Sequence, residues 1–297
     1  MPKNISWKMP FNARNSVQSF LFLVVLLVLL SVSGCVSHLR EAKIHYAQGQ
    51  KFSRLYDTEQ AIAFFKLSLS EAVKEVKEYP SAQAYMMKGM VELNLKMWKE
   101  AEESFRNAFS YGFEEGEEWA QQLSLFGLAS SLEELGVEEP TFKIYSYLTQ
   151  KSKLKPVTIL ASQKYIESIL EQALREKGEE REKLLKEALK TAEKLVEKDL
   201  SCGFYHYLQS QVYSHLADYK KSFEEALMAR ELGLPTQEIF RDNDLQIVFC
   251  YRKLKEILSA EEWEAFHALY MEWVKRWKWR GPETPVWKEE EKHAALY

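Results

Sequence analysis

The chain has 297 residues, 46% of them hydrophobic and 28% charged, which excludes wholesale disorder and leaves room for a sizeable core. Only 11 Gly and 8 Pro accompany 44 acidic and 40 basic residues, too few turn-formers for a β-sandwich or a propeller. The balance points to an all-α protein, and a net charge of −4 argues against a general nucleic-acid binder.

Residues 1–18 carry Lys3, Lys8 and Arg14 and no acid, and an unbroken apolar run follows from Phe20 to Leu30, extending past Ser31 to Val32. A basic segment before a short apolar one reads as a secretory signal. Its 13 positions fall short of the about 20 that a bilayer-spanning helix needs. The run ends in Ser31-Val-Ser-Gly-Cys35, which resembles the lipobox of bacterial lipoproteins. That resemblance implies a signal peptide over 1–34, cleavage before Cys35, and lipid, palmitate included, on the Cys35 thiol. Two or more acyl chains anchor a protein stably where one is marginal. Cleavage removes three basic residues and no acid, so the mature body becomes more acidic and anionic phospholipid repels it. Val36 stands where Asp favours inner-membrane retention in Gram-negative lipoproteins, so the resemblance implies the outer membrane, facing the periplasm. No Gly/Ser-rich stalk follows Cys35, and helical patterning begins by residue 39.

From there to residue 258 apolar residues recur at three- and four-residue spacing, interrupted at Pro80, Gly112, Gly136, Pro140, Pro156, Gly178, Gly203 and Gly233. Segments of this length predict helical hairpins and prompt a search for repeats. Tyr85, Gly89, Trp98, Ala101, Phe105 and Ala108 resemble a tetratricopeptide repeat beginning at Ala82, with Gly89 and Ala101 small where its two helices cross. Lys88 and Glu92 depart from the pattern, which has Leu and an aromatic there. Gly49, Phe52, Ala61 and Phe65 place a second unit earlier. A third runs from Gly203 with Ser210, Tyr213, Tyr219, Ser222, Ala226 and Ala229, serine replacing the small residues. The stretch from Ala120 has Leu123, Phe126 and Gly127 in place, but Pro140 and Glu139 make it degenerate, Pro140 being tolerated if it starts a helix. Residues 159–197 supply a further pair, its second helix rich in exposed Glu and Lys, and 240–258 resembles the helix that closes many tetratricopeptide proteins.

Beyond 258, Ser259 and Glu262 have capping-box spacing, and Trp263, Phe266, Tyr270, Trp273 and Trp277 form an aromatic stripe. Core packing is the first expectation for it, a partner or membrane contact the second, because Lys275, Arg276, Lys278 and Arg280 adjoin it. The domains are therefore 1–34 signal, 35–258 helical repeat, and 259–297 Trp-rich helix and tail, the tail resuming helix no earlier than Trp287.

The sequence contains no H-E-x-x-H, Walker loop, G-x-S-x-G or C-x-x-C. His206 and His215 stand nine apart, the wrong spacing for a shared zinc, so neither metal nor cofactor is expected. Exported Cys202 and Cys250 can form a disulfide or stay buried as thiols. In tetratricopeptide families the first helix of each unit lines a concave binding face. The resemblance implies such a face at Lys43, Tyr46, Gln50 and Arg54, at Gln83, Met86, Met90 and Asn94, and at Phe204, Tyr207, Gln211 and His215. The expectation is a non-catalytic, lipid-anchored adaptor for envelope proteins or peptides. The alternative is an accessory lipoprotein of a TRAP-type uptake system holding a small ligand.

Overall fold

A computed structural model describes residues 37–282; Cys35, the segment before it and the tail with Trp287 lie outside the described residues. Twelve helices and no strands are found among the described residues, and the chain divides into two compact units at the Gly136–Val137 bond. The first unit holds α1 (His38–Arg54), α2 (Thr58–Glu78), α3 (Ala82–Asn94), α4 (Trp98–Tyr111) and α5 (Glu118–Glu134). Each packs on the next, and α3 also touches α1 and α5, so α1, α3 and α5 share one layer. In the second unit are α6 (Glu138–Lys151), α7 (Lys155–Arg175), α8 (Gly178–Lys198), α9 (Gly203–His215), α10 (Tyr219–Leu232), α11 (Gln237–Ile257) and α12 (Ala260–Trp277). There α9 touches both α7 and α11.

Helix starts follow from local chemistry. Ser37, Asp57, Ser81, Asp218 and Thr236 each accept an amide of the first turn of α1, α2, α3, α10 and α11, and Ser259 with Glu262 closes a full capping box on α12. Each such cap is worth about 1 kcal/mol. Pro140 sits in the first turn of α6 and so begins the helix instead of breaking it. The stretch read as one degenerate repeat is divided, since α5 belongs to the first unit and α6 to the second.

The repeats form where small residues let helices approach. A Cβ on Gly49 would stand 2.6 Å from the Phe65 ring, and one on Gly127 would stand 2.1 Å from Phe105. Phe105 thus fills the space left by Gly89 on α3 and by Gly127 on α5, locking three helices together. In the second unit serine does this work: Ser210 Oγ donates to the Ser222 carbonyl at 2.9 Å and Ser222 Oγ to the Ser210 carbonyl at 2.8 Å. Hydroxyls buried at a crossing are tolerable only when so satisfied. The two departures from the pattern also compensate one another. Lys88 Nζ lies 2.7 Å from Glu92 Oε1 and donates to Ser104 Oγ at 2.8 Å, while Ser104 Oγ donates to Glu92 Oε2 at 2.6 Å.

The pairs α3/α4 and α9/α10 are matched in construction, each 13 and 14 residues long, joined by three residues and ended by a glycine, Gly112 or Gly233, at positive φ. The joining turn reads Leu95-Lys96-Met97 in one and Leu216-Ala217-Asp218 in the other, and Leu55-Tyr56-Asp57 links α1 to α2 in the same way. Tyr56, Lys96 and Ala217 adopt φ of 58°, 61° and 60°, and the next amide reaches back to the carbonyl of Phe52, Glu92 or Tyr213. These are Schellman turns in which a residue with a Cβ holds the left-handed position.

The C-terminal core is aromatic. Tyr251 and Tyr270 lie 4.4 Å apart between ring centroids, Trp263 meets Tyr251 edge-on at 5.1 Å, and Phe266 meets Phe223 at 5.0 Å. Tyr270, Trp273 and Trp279 are buried, and the Tyr270 hydroxyl donates to the Pro282 carbonyl at 2.7 Å. The stripe is buried at Tyr270 and Trp273 and half-buried at Trp263 and Phe266, which pack on the same cluster. Trp277 is the exception, exposed with its indole donating to Glu231 at 3.1 Å.

Candidate partner-binding faces

On the first unit the layer formed by α1, α3 and α5 gathers most of the residues expected to bind. Asn94 Nδ2 and Gln50 Nε2 both donate to the Tyr46 hydroxyl at 3.2 Å, Gln50 also donates to Asn94 Oδ1 at 2.9 Å, and Asn94 donates to the Met90 carbonyl at 2.8 Å. Burial raises the Tyr46 phenol pKa, with the Asn94 and Gln50 hydrogen bonds opposing it, so it stays neutral. Further along, Lys43 Nζ donates to Gln83 Oε1 at 3.3 Å, and Gln83 Nε2 donates to Glu117 Oε1 at 2.6 Å. The Lys43 ammonium also stands 5.9 Å from the centroid of the exposed Trp119 ring. At the far end of α1, a cleft of about 420 Å³ is lined by Gln50, Lys51, Arg54 and Leu55.

Two of the expected contact residues belong to the core instead. Met86 is 4% exposed in the α3–α5 cluster and Phe204 is 2% exposed. The cause is helix geometry: α3 and α9 are enclosed by helices on both sides and bury most of their circumference, so an offset from a repeat pattern overstates what reaches solvent. Tyr207 and Gln211 are half-buried on α9. The Tyr207 ring lies 5.8 Å from Phe204, and its phenol pKa is pushed up to about 12 by burial and then by the charges of Asp242 and Glu167. His215 is held below the usual imidazole range by burial and by Arg181, whose guanidinium donates to the His215 carbonyl at 3.3 Å. Glu117, whose place at a helix start suits the helix dipole, and Trp119 both precede the repeat as aligned from Ala120, so the repeat pattern does not mark them as part of this layer.

The other reactive side chains have structural partners. His206 Nδ1 lies 2.6 Å from Glu225 and Nε2 lies 3.1 Å from the Leu200 carbonyl. Burial disfavours its charge, but the Glu225 and Leu200 hydrogen bonds outweigh that and raise its pKa. Cys202 and Cys250 are separate buried thiols. Burial raises the Cys250 pKa, and its Sγ donates to Ser222 Oγ at 3.1 Å. Among the described residues no cluster of His, Cys, Asp and Glu is placed to hold a metal, and no helix is long and apolar enough to cross a membrane.

The glycine–phenylalanine and serine–serine crossings hold together an all-α array of helix pairs. No protein-family model and no curated protein matches the chain. Among solved structures it is similar to YrrB, a TPR protein with an unusual peptide-binding site, with TM-score 0.38, 18% identity, and coverage of 67% of this chain and 89% of that one. It is also similar to the TPR domain of P58(IPK), with TM-score 0.33, 12% identity, and coverage of 72% of this chain and 56% of that one. For the TPR2AB domain of yeast Sti1 in a complex with pHSP90 the values are 0.28, 13%, 72% and 84%.

Proposed function

We propose that the protein is a non-catalytic adaptor, anchored by lipid at Cys35 to the cell envelope, that captures protein or peptide partners on its helix-repeat faces. The observation that carries the proposal is the α1–α3–α5 layer. Its amide, phenol and ammonium groups are held by one another, from Tyr46, Gln50 and Asn94 to Lys43, Gln83 and Glu117. Such a surface is ordered before a partner arrives, which lowers the entropy cost of binding. Anchoring draws support from the lipobox-like Ser31-Val-Ser-Gly-Cys35 and from α1 opening at His38, close enough to Cys35 to hold the body against the membrane. Placement in the outer membrane rests on Val36 and is part of the same proposal.

Cross-linking and affinity capture from native membranes test the face, with Lys43→Ala/Gln83→Ala/Met90→Ala on the first unit and Tyr207→Ala/Gln211→Ala on the second. Loss of defined envelope proteins in either variant, at unchanged helicity, is the expected result; capture identical to wild type in both removes the faces from consideration. Radiolabelled palmitate incorporation that survives Cys35→Ser would overturn the anchor.

A further inference from the structure

One end of the second unit carries a cavity that lies off the partner-binding faces. The α6–α7 loop and the α8–α9 loop meet there around a volume of about 550 Å³, within the range of small-ligand sites. Four of its lining residues are lysines, Lys151, Lys153, Lys155 and Lys198, against one carboxylate, Asp199. In a chain whose net charge is −4 this is a concentrated positive spot.

The cavity is built from fixed parts. Ser152 and Thr158 are buried; Thr158 Oγ1 donates to the carbonyls of Ser152 and Leu154 at 3.3 and 3.2 Å, and the Leu154 amide donates to Ser152 Oγ at 3.2 Å. This pins the loop that opens α7, a 21-residue helix with no side-chain cap on its first turn. The positive end of the helix dipole favours an anion there. Asp199 is already committed: its carboxylate accepts Lys155 at 2.8 Å and the Ser201 hydroxyl at 2.7 Å, which hold its pKa down to about 2. Lys151 and Lys198 make no ion pair among the described residues.

Tyr205 is the second, independent sign of a ligand. It is 2% exposed and lines the cavity, yet its hydroxyl has no hydrogen-bond partner among the described residues. The ring is enclosed while the hydroxyl opens onto the cavity, which leaves a positioned donor free for a ligand oxygen that enters it. Burial and the neighbouring charges of Cys202 and Asp199 push its pKa up to about 12, so it is a donor at every physiological pH.

We propose that this cavity binds a phosphate group carried by a small organic ligand, with Lys151, Lys153 and Lys198 neutralising its charge and Tyr205 donating to one of its oxygens. Ammonium groups are compact point charges with rotatable donors, which suit the tetrahedral array of oxygens on a phosphate; a planar carboxylate would favour the arginine fork, and no arginine lines the site. The cavity exceeds the size of phosphate alone, leaving room for the organic portion. The phosphate could be a monoester of a soluble compound or the diester of a lipid headgroup, the shared chemistry being the same.

Isothermal titration of the full chain in neutral detergent with inorganic phosphate, glycerol 3-phosphate and dihexanoyl phosphatidylglycerol provides the test. Saturable binding of at least one probe is expected, weakening as ionic strength rises. Lys151→Gln/Lys198→Gln lowers affinity by about tenfold or more, and Tyr205→Phe, which deletes one hydrogen bond to a charged group, lowers it about tenfold. Asp199→Asn tightens binding by removing a competing anion and releasing Lys155, a gain that misfolding cannot imitate. Preference for the monoester identifies a soluble ligand and preference for the diester a headgroup, and each supports the site. No saturable binding of any probe, equal affinity in the lysine variant, or weaker binding by Asp199→Asn overturns it.

Discussion

Replacing Lys88 should cost the first unit more than replacing Glu92, although the two form one ion pair. Glu92 is 3% exposed at its side chain and Lys88 24%, and the pair shares the fully buried Ser104 hydroxyl. Removing one member of a buried pair costs about 3–5 kcal/mol, mostly because the survivor keeps a charge without compensation. Lys88→Met leaves the Glu92 carboxylate enclosed with Ser104 as its one remaining donor, so about 3 kcal/mol is expected. Glu92→Met leaves an ammonium that still bonds Ser104 and can turn outward along its quarter-exposed stem, for about 1–2 kcal/mol. Lys88→Met/Glu92→Met removes both charges and should fall within about 1 kcal/mol of wild type. Native-state hydrogen exchange of the α3 and α4 amides reads these values within the unit that contains them. A Glu92→Met cost equal to or above that of Lys88→Met, or a double variant whose loss is the sum of the singles, would refute the reasoning.

Three other outcomes can be checked on the same footing. Gly127→Ala places a methyl 2.1 Å from the Phe105 ring and should destabilise by about 1–3 kcal/mol in urea titration, with partial recovery in Gly127→Ala/Phe105→Leu. Ala217→Gly relieves a left-handed residue at φ 60° and should stabilise by about 0.5 kcal/mol, the relief exceeding the added chain entropy. His206 has its pKa raised in the fold, so its contribution is fully present below about pH 6.5 and fades as pH rises through the raised value. The melting temperature of His206→Gln should accordingly fall further below wild type at pH 5.5 than at pH 9.

The repeat at Ala82 was legible because its determinants are local residue types: Gly89, Ala101 and Phe105 must be what they are for two helices to cross. The Ser259 capping box and the aromatic stripe were legible for the same reason. The division after Gly136 was not, since the pattern from Ala120 continues across it and only three-dimensional packing assigns α5 and α6 to different units. Non-glycine residues in the left-handed turns at Tyr56, Lys96 and Ala217 carry no compositional mark either. Of the expected binding residues, Met86 and Phe204 fail because burial depends on what encloses a helix, which its own periodicity does not record. The lysine cavity escaped notice because its walls come from two loops far apart in sequence, while Lys198 taken alone is one more cation on a charged helix.

The matched construction of α3/α4 and α9/α10 makes these pairs interchangeable cassettes. Equal helix lengths, equal turns and a glycine exit at the same point mean that residues 82–112 and 203–233 turn and leave along equivalent chain paths. One uses a glycine crossing and the other a serine crossing, so the fold constrains the track of the backbone more tightly than the residues that hold it. Recombination or tandem duplication at these borders would therefore lengthen or reorder the array without redesigning its joints, leaving the outward side chains free to diverge toward different partners.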